Sequence, residues 1–193
     1  MQEVSFIKVE EKIPKFFNNF FLIGAFLLPS AFTLGAVTLL ICVFYGFFIG
    51  KGYFKEKLNT IFFIAGIFLI VSAFVHSNFN DYLSEYRINH ALSWIGLANW
   101  IPFFLCFWGF QPYLNSNTKR RRTEIALLTG TLPVIITGIG QSFFNWHGPM
   151  DTLSGLIVWY QRPIEGITGM TGLFNNPNYT GLWLNLVVPF CLA

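Results

Sequence analysis

The chain has 193 residues, of which 54% are hydrophobic, 19% aromatic and only 11% charged, with a mean hydropathy of +0.55. That composition excludes an ordinary soluble globular domain and a disordered one, both far richer in charge. The formal net charge of +3 says little as a total, but the placement of the charges along the chain says more.

Residues 1–15 form a polar tail of mixed charge, Glu3, Glu10 and Glu11 against Lys8, Lys12 and Lys15. Phe16 to Ile49 then contains no charged residue. A helix crosses the hydrocarbon core in about 20 residues, so this run is long for one span and short for two full ones. Pro29-Ser30 lies near its middle, where proline removes a backbone donor and kinks or breaks a helix. Two short helices, about 16–29 and 31–49, are expected to form a hairpin; one long, kinked and tilted helix is the competing reading. A cleavable signal peptide would have an apolar core of only about 7–15 residues, so removal of this end is not expected.

After Lys51, Lys55 and Lys57, further spans are expected over 60–75, 91–110 and 124–144, and a last helix starts near Pro177 and runs over 177–193. The predicted fold class is all-α, a polytopic transmembrane helix bundle over 16–193. Placing the N-terminus and the loops 50–59 and 112–123 in the cytoplasm gathers ten of the twelve Lys and Arg residues there. The outer loops, 76–90 and 145–172, keep only Arg87 and Arg162. This is the asymmetry of the positive-inside rule, and it favours the hairpin over a single span. Tyr82, Tyr86, Trp146, Trp159 and Tyr160 then gather on the outer side, where aromatic rings suit the headgroup layer.

Cys42, Cys106 and Cys191 lie in separate apolar runs without CxxC spacing and read as small apolar helix residues. Lys119-Arg120-Arg121-Arg122 reads as a topology anchor between apolar spans. No phosphate-binding loop, zinc motif or nucleic-acid motif is present, so neither metal nor nucleic acid is expected. All three histidines, His76, His90 and His147, fall on the outer side or at its border, with Asp81, Glu85, Asp151 and Glu165. Their spacing matches no metal or triad pattern, and loops collect such residues because water is there.

Arg162 is the stronger candidate. It lies in WYQRPIEG between an apolar patch, Leu156 to Tyr160, and the glycines Gly166, Gly169 and Gly172. Arginine grips phosphate oxygens with a bidentate fork, although an interfacial anchor is an equally good reading of this one. In FNNPNY, Pro177 suits the first position of a helix and Asn176 its N-cap. The remaining free amides and the positive end of the dipole can hold an anion. Asn175 and Asn178 add neutral donors and acceptors suited to sugar hydroxyls or phosphate.

The segment GMTGLFNNPNYTGLWLNLVVPF resembles the signature of the O-antigen ligase and polymerase family, loosely R-x-T-G-x-F-x-N-P-N before an apolar helix. WIGLANWIPFFLCFWGFQPYL and WYQRPIEGITG are similar to cyanobacterial-type members. The resemblance implies a glycosyltransferase of the bacterial inner membrane, acting on glycan carried by undecaprenyl pyrophosphate, without metal or other cofactor. It implies pyrophosphate contacts from Arg162 and Arg87, and a glycan-carrier pocket shaped by Asn175, Asn176, Asn178 and Tyr179. Two departures stand out. Met170 occupies the place of the arginine before the T-G pair, and the family's second half, with its large loop and histidine, does not follow. The chain is therefore expected to be an N-terminal part, inactive alone, with the catalytic residues elsewhere. A transporter for a small anion such as bicarbonate, binding at the opening of the helix at Pro177, is the alternative.

Overall fold

The computed structural model describes residues 13–49, 54, 56–79, 90–164 and 169–192. Most of them are helical: α1 Lys15–Leu27, α2 Phe32–Ile49, α3 Lys57–Phe79, α4 His90–Phe110, α5 Asn117–Phe144 and α6 Pro177–Leu192. A short antiparallel hairpin, β1 Met150–Thr152 and β2 Ile157–Trp159, interrupts the connection between α5 and α6. Three helices are long and apolar enough to cross a membrane: Phe32–Ile49, Lys57–Ser77 and Asn117–Phe144, with mean hydropathies of 2.3, 2.4 and 1.5.

The chain divides into two units. The first comprises residues up to Cys42 and from Tyr113 onward. Here α1 ends at Leu27, and the amides of Ser30 and Ala31 turn back to the Leu27 carbonyl at 3.1 and 2.7 Å. Pro29 has no amide to extend the ladder, so the chain reverses and α2 runs back along α1. Cys42 faces the Phe17 carbonyl, and Gly24 faces Thr38 and Leu39. The ring of Tyr113, only 1% exposed, stacks on Phe21 at 4.7 Å and donates its hydroxyl to the Cys42 carbonyl at 3.1 Å.

Helix α5 lies against α1. Its Gly130 meets the backbone of Phe26 so closely that a Cβ would run into the Phe26 carbonyl. A side chain cannot be accommodated there without separating the helices, which is the use membrane helices make of small residues. One difference from the sequence-based expectation concerns this element. It starts at Asn117 rather than near Glu124, because Ser116 caps it by accepting the Lys119 amide at 3.3 Å. The basic run therefore forms its first turns instead of a loop. Pro133 sits inside the helix, as the expected span over 124–144 requires. The threonines around it, Thr129, Thr131 and Thr137, bond back to carbonyls one turn earlier.

The second unit, Val43–Pro112, holds the end of α2 with α3 and α4. Phe62 stacks on Phe104 at 5.2 Å and meets Phe107 at 4.8 Å, while Phe47 stacks on Trp108 at 4.7 Å. Gln111 donates to the Asn59 side-chain oxygen at 3.0 Å, satisfying a buried amide. A groove lined by Ala65, Phe68, Leu69, Ser72 and Trp100 is almost wholly apolar and contains no titratable group. The first unit holds the larger buried polar network among the described residues, centred on Gln141.

Candidate functional site

The site is built around the last turns of α5. Its apolar length delivers one amide side chain, Gln141, which is 1% exposed. A buried primary amide must find up to four partners. Gln141 finds them in the loop before α6. Its Oε1 accepts the amides of Thr171 at 2.9 Å and Gly172 at 3.1 Å. Its Nε2 donates to Thr171 Oγ1 at 3.0 Å and to the Arg162 carbonyl.

Thr171, fully buried, passes the connection on. Its Oγ1 also accepts the Arg162 amide at 3.1 Å, and its carbonyl accepts the Thr180 hydroxyl from the first turn of α6. The Phe174 amide returns to the same carbonyl at 3.0 Å, closing a turn in which Gly172 adopts φ +53°. That left-handed conformation is easiest for glycine and explains its place after Thr171. Arg162 and the mouth of α6 are thus tied to a single threonine by hydrogen bonds on either side of it.

The hairpin is held to the same end of the unit. The indole of Trp159 donates to the Ser30 carbonyl at 2.7 Å, at the turn between α1 and α2. The Gly148 amide bonds the Gln161 carbonyl at 2.8 Å, and the Tyr160 amide bonds the Leu173 carbonyl at 3.2 Å. Gln161 is buried at φ +37°, its Nε2 reaching the Thr137 carbonyl at 3.4 Å and its Oε1 without a partner among the described residues. Leu153, Ser154 and Gly155 all have positive φ, which reverses the chain between the two strands. The apolar patch Leu156 to Tyr160, expected within the outer loop 145–172, is mostly strand β2. Alternation of apolar residues over three positions is too short to reveal a strand in sequence.

At the mouth of α6, Pro177 is the first helical residue and Asn176 caps it, its Oδ1 accepting the Asn178 amide at 2.9 Å. Asn175, Asn176, Asn178 and Tyr179 are exposed, and so is the side chain of Arg162. The arrangement offers one guanidinium on an anchored backbone, several neutral amides and a helix N-terminus. Those groups can bind an anionic group with hydroxyls beside it. Met170, standing where the family pattern has arginine, lies against Gly138 of α5. Arg87, Glu165 and Gly166 lie outside the described residues. His147 is exposed, its Nδ1 3.0 Å from the Asn145 carbonyl, and His76 belongs to the other unit. No group of three or more His, Cys, Asp or Glu side chains able to hold a metal ion comes together among the described residues.

Gln141, Thr171 and Thr180 carry the architecture of the site, and sequence reasoning missed them as site residues. One signal was present: Gln141 is an uncharged but strongly polar residue near the end of an apolar run, where an amide needs partners. No protein family, curated protein or solved structure matches this chain.

Proposed function

We propose that the chain forms a many-span membrane region of an O-antigen ligase or polymerase-like glycosyltransferase. Its polar site would face the outer side of the bacterial inner membrane and take an undecaprenyl pyrophosphate-linked glycan. In the transfer, the bond from the sugar to the pyrophosphate breaks as an acceptor hydroxyl oxygen bonds to the same carbon, the hydroxyl proton passing to the departing pyrophosphate. Arg162 holds the departing pyrophosphate by charge-assisted hydrogen bonds, and Asn175, Asn176, Asn178 and Tyr179 contact the sugar end. The observation that carries this reading is the pair of hydrogen bonds joining Arg162 and Thr180 to Thr171. They fix a guanidinium-bearing backbone beside a helix start whose exposed side chains are all neutral donors and acceptors.

The test is titration of the purified chain with undecaprenyl pyrophosphate. Arg162→Ala is expected to weaken binding at least about tenfold, the cost of one charged hydrogen-bonding partner. Undiminished affinity in that variant contradicts the reading. Saturable binding of bicarbonate by the same residues, with no response to the lipid, would favour the transporter instead.

A further inference from the structure

The two faces of α5 differ in a way that the site at its far end does not use. Gly130, Thr131, Val134, Thr137, Gly138 and Gln141 are buried against the rest of the unit. Ile125, Leu132, Ile136, Ile139 and Phe143 follow Arg121 by 4, 11, 15, 18 and 22 positions and are all exposed, Phe143 to 78%. At about 100° per residue these five fall within about 60° of Arg121 around the helix axis. Their length from Arg121 is about 33 Å, close to the thickness of a hydrocarbon core. Arg121 therefore stands at the head of an exposed apolar stripe, with Arg122 at its edge.

The other two cations of the run point elsewhere. Lys119 and Arg120 are half-buried, and Arg120 donates to Oδ1 of the exposed Asn117 at 2.6 Å. Arg121 and Arg122 are exposed and have no ion-pair partner among the described residues. The nearest carboxylate along α5 is half-buried Glu124, three positions beyond Arg121, and no ion pair joins it to either arginine among the described residues. Cations near a helix N-terminus oppose its dipole weakly, so an anion bound there from outside is favoured.

We infer that Arg121 and Arg122 bind the phosphate of an anionic phospholipid whose acyl chains lie along the exposed face of α5. Phosphate chemistry alone would admit a free anion as well. The apolar stripe running directly below Arg121 is what points to a lipid. This inference requires only that α5 crosses a membrane and does not depend on the glycan-carrier reading.

The whole chain in detergent, measured by native mass spectrometry, provides the test. It should retain phosphatidylglycerol in preference to phosphatidylcholine. Arg121→Gln with Arg122→Gln should weaken phosphatidylglycerol retention about thirtyfold, taking the usual contribution of each cation near an anionic surface. Lysine at both positions should restore much of it, Lys57→Gln should change nothing, and circular dichroism should report an intact helix content in every variant. Equal retention of the two lipids, or no change in the double glutamine variant, overturns the inference. So does full competition by inorganic phosphate, which would mark a soluble-anion site. A shift in dimer fraction with lipid retention unchanged would assign the face to a second copy and overturn it too.

Discussion

Gln141 shows how one side chain can hold a loop. Replacing it with leucine leaves the Thr171 and Gly172 amides and the Arg162 carbonyl without their partner. Unpaired buried groups of this kind cost about 1–3 kcal/mol each, so Gln141→Leu should open the loop by about 3 kcal/mol. Hydrogen exchange at Thr171 and Gly172 should then speed up by about two orders of magnitude. Unchanged protection at both amides would show that Gln141 does not hold the loop. Gln161 makes a useful contrast, since its Oε1 has no partner among the described residues. Gln161→Met removes that acceptor and should leave stability within about 1 kcal/mol of the parent. A loss of several kcal/mol in a thermal melt would contradict this and mean that the Gln161 amide bonds more strongly than its long Nε2 contact to the Thr137 carbonyl implies.

Among the elements, tight packing can be separated from mere helix content. Gly130 on α5 has the Phe26 backbone where a Cβ would stand, whereas Gly181 on α6 has open space. Gly130→Val should cost about 1–3 kcal/mol or separate α1 from α5, and Gly181→Ala should stabilise by about 0.5–1 kcal/mol. Thermal melting in detergent distinguishes them, and equal melting temperatures would contradict the packing described here. The helical character was legible in the sequence because uncharged runs of this length have few other uses. The N-cap at Asn176 was legible because Pro177 and asparagine act locally. The hairpin β1–β2 was not, since its three-residue strands depend on anchors at Ser30 and Leu173, remote in sequence. Nor was the start of α5 at Asn117, because the cationic run read as loop until Ser116 was seen to cap it. The same limit hid the site's frame. Thr171 is the threonine of the T-G pair, but its partners Gln141 and Thr180 come from helices on either side.

For the whole molecule, the exposed apolar surface matters most. Phe48 and Phe68 are 89% and 70% exposed, and many other large apolar side chains share that state. In water such a surface would drive association; in a bilayer it meets acyl chains. The functional proposal adds one demand that composition cannot supply. Arg162 and the mouth of α6 must lie in the compartment opposite the basic crown of α5. Cysteine accessibility in intact cells tests it most directly. In a background with Cys42, Cys106 and Cys191 replaced, Arg162→Cys and Ser116→Cys are each treated with a membrane-impermeant maleimide. Position 162 should be modified from outside, and position 116 only after the membrane is opened. Modification of 116 from outside with 162 protected would invert the chain and remove the outer glycan-carrier site.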